Sequence, residues 1–168
     1  MYHKAVLTPR TVFFVIYFLA FLFLFESENF YTNVMDMTRE TLKSVLDELY
    51  LSCIEAAKEN EVPVSAAILD TEHIFLSHND VEQSKNPFHH AEILVMEKAM
   101  KQKKTKYLKD CPLIVTLEPC LMCMGAILKA GIDDLYYVTD DEEKGALSYH
   151  HVFVDNVMRI HRIHDERF

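Results

Sequence analysis

Residues 112–131 read PLIVTLEPCLMCMGAILKAG, an apolar run that is broken by a proline and then changes period. Pro112 to Leu117 reads as a strand, apolar enough to be covered on both faces. Pro119 ends it, because proline has no N–H to give to a ladder. From Cys120 to Ala130 a helix is expected, and Gly131 is the residue type that closes one in the left-handed conformation. A buried strand that hands over directly to a helix is a building unit of layered α/β domains.

The same alternation extends in both directions. From Thr38, a plausible cap, Leu42, Val45, Leu46, Leu49, Tyr50, Cys53, Ile54 and Ala57 form one helical stripe, with Glu40 in its first turn. Val64 to Leu69 and His73 to His78 read as neighbouring strands joined by a hairpin turn at Asp70, Thr71 and Glu72. A polar stretch from Asn79 to Asn86 leads to Pro87. A second helix should then start near His89 or His90 and run towards Lys101, burying Ile93, Leu94, Met96 and Met100. Leu135 to Thr139 is a further strand, and Val157 to Ile163 is either a short last strand or the start of a helix. The expectation is one α/β domain over residues 35–168, with a mixed sheet of about five strands.

Composition narrows the class. Half of the 168 residues are hydrophobic, enough for a sizeable core, and the net charge is -9. That charge argues against a general nucleic-acid binder but leaves room for a local basic patch. Lys98, Lys101, Lys103, Lys104, Lys106 and Lys109, and the arginines after Val157, are the candidates for phosphate contacts. Cys53, Cys111, Cys120 and Cys123 are spaced unlike a disulfide framework, and reduced thiols fit a cytoplasmic protein.

Residues 1–34 stand apart. Val12 to Phe25 is an apolar run of 14, shorter than the roughly 20 residues of a membrane span and similar to the core of a signal peptide. No small-residue cleavage site follows it. Met35 and Met37 directly precede the first amphipathic helix, so initiation there would remove the run. That reading is preferred, with membrane association second and secretion third.

The chemistry lies in His90-Ala91-Glu92 and in Cys120-Leu121-Met122-Cys123, both where a loop or strand enters a helix. Cysteines three apart at a helix start share one face, and the positive helix end favours thiolates. One imidazole and two thiolates give Zn²⁺ three ligands and leave the fourth tetrahedral position to water, as in a catalytic site. Zinc brings the pKa of such a water to about 7. Glu92, two residues past the histidine, is placed to carry protons. The order H-x-E then P-C-x-x-C is the signature of zinc nucleobase deaminases, in which the glutamate is not a ligand. The neighbouring His89 is out of register and is expected in a loop or pocket. A structural zinc site is the competing reading, with Cys53, Cys111, His150 or His151 as a fourth ligand.

At these residues the chain resembles the bacterial tRNA-specific adenosine deaminases of the cytidine-deaminase-like superfamily. The likeness runs from about Thr38 to Ser148. Glu61 to Ala66 looks like the family's entry into its first strand, with Ser65 where glycine is usual. Asn86 to Glu92 is similar to its aspartate-proline-threonine-x-histidine-alanine-glutamate run, and Val115 to Cys120 and Met122 to Ala126 match closely. The resemblance implies a three-layer α/β/α domain, one Zn²⁺ per subunit and a homodimer with active sites near its interface. It implies conversion of adenosine to inosine at the wobble position of a tRNA anticodon loop. By the same resemblance Asn79 would contact the base edge, Val64 would pack against the base, and Asp141, followed by Gly145-Ala146, would help hold the substrate strand. The loop from Leu147 to Asp155 is shorter than in the family, and the chain ends at Phe168, where the family has a last helix. Cytosine, guanine and cytidylate deaminases share the metal motif and remain alternatives. So does a non-catalytic zinc-binding subunit, although Glu92 argues against it.

Overall fold

In the computed structural model, residues 38–152, 154 and 157–168 are described. The apolar run 12–25, Met35, Met37 and the expected domain boundary at residue 35 lie outside them. The elements are α1 (Arg39–Lys58), β1 (Ser65–Leu69), β2 (Ile74–His78), α2 (Val81–Ser84), α3 (Ala91–Lys103), β3 (Leu113–Leu117), α4 (Leu121–Ala130), β4 (Asp134–Thr139) and β5 (Arg159–Arg162). Arg39–Phe168 form one unit.

The strands make a single mixed sheet in the order β2-β1-β3-β4-β5. The hairpin pairs Ser65 with His78 and Leu69 with Ile74, and β3 runs antiparallel to β1 on its other side. Beyond β3 the sheet turns parallel, with Leu113 beside Leu135 and Leu135 beside Ile160. The last segment is thus a strand, which settles the choice between strand and helix. Alternate residues of the central strands face opposite layers. Ala66, Ile68, Leu113 and Val115 pack with Ala91 and Val95 of α3 and Met124 and Ile127 of α4. On the other face Ser65 Oγ donates to Leu49 O of α1, and Cys53 lies against Ser65 and Thr116. Helix, sheet and paired helices make the three expected layers.

Details depart from the periodicity reading where small residues decide the approach. In α1, Val45, Leu46, Leu49 and Cys53 are buried as read, but Ser52 and Ala56 turn inward while Tyr50, Ile54 and Ala57 turn out. Small side chains let the helix sit close to the sheet, and Tyr50 packs edge-on against Phe168 under the Arg167 guanidinium. In α3 the innermost residues are Ala91, Glu92, Val95, Met96 and Ala99; Ile93, Leu94 and Met100 are only half-buried. The polar stretch hides the short helix α2. Glu61 accepts from the backbone N–H groups of Val81 (3.0 Å), Glu82 (2.7 Å) and Gln83 (2.8 Å), which supplies the acceptor that its first turn lacks.

The terminal arginines are engaged within the chain. Arg159 grips Asp134 (2.7 Å), Arg162 pairs with Asp140 (2.6 Å), and Arg167 pairs with Asp165 and Asp47. Lys103 is held by Asp70 (2.8 Å) and Lys98 by the Leu76 carbonyl (3.0 Å). Lys101, Lys104, Lys106 and Lys109 are exposed at the end of α3 and in the loop after it. Among the described residues, no helix is long and apolar enough to cross a membrane.

Candidate active site

Two helix starts meet at the carboxyl end of β3. His90 is the N-cap of α3 and Cys120 the N-cap of α4, both with extended backbone, and Cys123 follows one turn into α4. His90 Nδ1 lies 3.7 Å from Cys120 Sγ and 3.6 Å from Cys123 Sγ. The three ligand atoms all fall within 4.8 Å of one another. Zn–S bonds of about 2.3 Å and Zn–N bonds of about 2.0–2.1 Å in a tetrahedron separate N and S donors by roughly 3.6 Å. The donor set therefore fits zinc. None of the four nominated fourth ligands joins the group. Cys53 and Cys111 are buried elsewhere, and His150 and His151 are exposed. His89 stands against Asp80 at 3.5 Å, outside the group.

Electrostatics distinguish the members. Hydrogen bonding from Cys123, helped by His90, holds the Cys120 thiol well below its usual range. The same contact with Cys120, with burial, pushes the Cys123 thiol up. Contact with Cys120 raises His90. Glu92, 3% exposed in the first turn of α3, has its carboxyl raised by burial. A carboxyl group that takes up protons readily beside a metal site suits a proton carrier.

A cavity of about 230 Å³ opens on this group. Val64, Asn79, His90, Glu92, Cys120 and Asp141 all line it, and Cys123 lies fully buried in α4, one turn beyond Cys120. Every site residue expected from the sequence is thus brought to one place. Asn79 does more than face the cavity. Its Oδ1 accepts from Ala91 N (2.9 Å) and its Nδ2 donates to Val62 O (3.2 Å), tying the entry of β1 to the start of α3. Asp141 Oδ1 accepts from the backbone of Glu143 (3.1 Å) and Lys144 (3.0 Å), shaping the loop at the cavity's edge.

Two buried carboxylates escaped the sequence reading. Glu61 was described above. Glu118, 2% exposed, accepts from the backbone of Asp141 (3.2 Å), Leu147 (2.6 Å) and Ser148 (2.8 Å), and from the Ser148 hydroxyl. It holds the 141–148 loop against the site. Gly145 is obligatory there, because a Cβ would lie 2.5 Å from Asp141 O and 2.6 Å from the Glu118 carboxyl. The only signal was a charged residue pressed between an apolar strand and Pro119.

Glu118→Ala is expected to destabilise the protein by more than about 1 kcal/mol, since a buried donor left without a partner costs about 1–3 kcal/mol and the donors that Glu118 serves are partly buried. Urea unfolding measures this. A loss under about 1 kcal/mol would mean that the loop is held by other contacts.

Residues 39–139 match the model of the cytidine and deoxycytidylate deaminase zinc-binding region. The tRNA-specific adenosine deaminase of Aquifex aeolicus is 38% identical over 109 residues, which is 64% of this chain and 72% of that one. A solved structure described as a study of A-to-I editing by tRNA:A34 deaminases at the wobble position superposes with a TM-score of 0.64 at 27% identity, covering 70% of this chain and 89% of its own. Guanine deaminase from Bacillus subtilis follows with a TM-score of 0.56 at 31% identity, covering 62% and 66%. The order of ligands, the mixed sheet and these matches agree: the chain belongs to the zinc-binding cytidine and deoxycytidylate deaminase family.

Proposed function

We propose that the protein deaminates adenosine to inosine at the wobble position of a tRNA anticodon, with water consumed and ammonia released. One observation carries this reading. The carboxyl of Glu92, with His90 and Cys120 of the metal group, opens on a cavity sized for a single base, in a chain similar to enzymes named for that reaction. When bound, zinc supplies the Lewis acidity that makes water nucleophilic at neutral pH. The remaining work falls to the chain. Glu92 takes one proton from the attacking water and gives it to the ring nitrogen, then carries the second proton of that oxygen to the amine, which leaves as ammonia as the C–N bond breaks and the carbonyl forms. Asn79 keeps one of its two amide hydrogens for the base edge, Val64 offers an apolar wall, and Asp141 borders the path of the RNA strand. The base reaches the cavity by leaving the stack of a single-stranded loop.

The protein acts in the cytoplasm as a homodimer in this reading. Deamination of free guanine is the second reading, supported by the likeness to the Bacillus subtilis enzyme. An arginine tRNA with adenosine at the wobble position, then free adenosine, cytidine and guanine, are to be incubated with the zinc-loaded protein. Inosine in the tRNA is expected. Turnover of a free base or nucleoside alone would reject the proposal. The same assay on chains starting at Met35 or Met37 tests whether residues 1–34 matter.

A further inference from the structure

We propose that Phe88 is a stacking platform for a nucleotide next to the one whose base enters the cavity. The inference rests on the reading above, that a single-stranded nucleic acid is the substrate. A cavity of about 230 Å³ is smaller than the roughly 300–1,000 Å³ of pockets that enclose drug-sized ligands, so it takes one base and leaves the flanking nucleotides outside. Those nucleotides must find surface at the cavity's rim.

Phe88 is two residues before His90, whose ring lines that cavity, and it is 62% exposed. A single exposed apolar side chain is ordinary and by itself says nothing. The mounting of this one is not ordinary. Asn86 Oδ1 accepts from Phe88 N (3.0 Å), and Asn86 O accepts from His89 N (3.1 Å), so the turn is closed by its own first residue. Phe88 O accepts from His90 N (2.8 Å), and His89 O accepts from Asp80 N (3.0 Å). Pro87 removes a further degree of freedom. The ring is thus presented by a braced turn that is continuous with the metal group.

A platform whose backbone is fixed in advance loses less entropy on contact with a ligand. Every nucleobase has a face to stack on it, and such contacts in single-stranded complexes are worth about 1–3 kcal/mol per base. The contact would fix the strand on one side of the reacting nucleotide without reading its sequence.

The test uses an anticodon stem-loop RNA with adenosine at the wobble position and the parent, Phe88→Ala, Phe88→Leu and Phe88→Trp proteins. Phe88→Ala should raise KM roughly 5- to 150-fold, with kcat and zinc content close to the parent's. Phe88→Trp should match or improve on the parent, while Phe88→Leu, apolar but unable to stack, should behave like Phe88→Ala. With 2-aminopurine at the two neighbouring positions in turn, binding to the parent should quench one of them more than binding to Phe88→Ala does. That difference is read whether or not inosine forms. An unreactive RNA with the Phe88-dependent quench intact would therefore sink the deaminase reading and spare this one. Equal KM and equal quenching in parent and Phe88→Ala would overturn it. So would full recovery in Phe88→Leu, or a fall from two chains to one in Phe88→Ala by sedimentation, either of which would assign Phe88 to packing between copies.

Discussion

Glu92→Gln is expected to keep its zinc and to lose deamination by a factor on the order of 10²–10⁴, the usual contribution of a positioned proton carrier. The substitution keeps size and shape in a fully enclosed position and removes only the ability to take up a proton. His90, Cys120 and Cys123 already form a set of three donors without Glu92, whose carboxyl only touches the Cys123 sulfur. The decisive measurement pairs metal analysis with inosine formation on the same sample. A variant that keeps zinc and works at the parent rate would remove Glu92 from the chemistry. A variant that loses zinc would make it a ligand and turn the site into the structural kind. Substrate affinity adds a further check. Because Glu92 acts on the reacting atoms, kcat and kcat/KM should fall together.

The parts of the molecule that could be read in advance are those in which a residue's neighbours in sequence are also its neighbours in space. Pro119 and Gly131 bracket α4, and the mostly apolar stretch Leu113–Leu117 is the centre of the sheet, because period and punctuation are local. The metal group was legible for a related reason. Histidine and cysteine at two helix starts face one point only if those starts are adjacent, and the strand-to-helix handovers place them so. What stayed hidden depends on distant partners. Glu61 caps α2, and Glu118 gathers a loop that lies well beyond it in sequence; a carboxylate that accepts backbone N–H groups leaves no periodic trace. The arginines after Val157 read as phosphate contacts because Asp134, Asp140 and Asp47, which neutralise them, lie far away in the chain. The face of α1 was misjudged by a fraction of a turn, since Ser52 and Ala56 carry no hydrophobic signal of their own.

Cys120→Ala and Cys123→Ala should each bring zinc from one per chain to near zero under mild chelation and abolish inosine formation, since two protein donors do not make a stable site. The two variants should part company in the absence of metal. Cys123 has no exposed surface and sits in α4 beside the core residues Met124 and Ile127, so truncation there leaves a gap. A loss of about 1–2 kcal/mol relative to the metal-free parent is expected for it. Cys120 is half-exposed at the helix start and makes no comparable core contact, so its truncation should cost less than that of Cys123 in the metal-free state. The metal-free parent should keep its helix and sheet signal, because the core cluster between sheet and helices is built by side chains other than the three metal donors. Unfolding curves with and without chelator separate these terms. If removal of zinc unfolds the parent, the ion is a structural staple; if Cys120→Ala keeps a full complement of zinc, the donor set drawn from the geometry is wrong. A folded, empty and inactive parent is the outcome that fits a site built for water and a base.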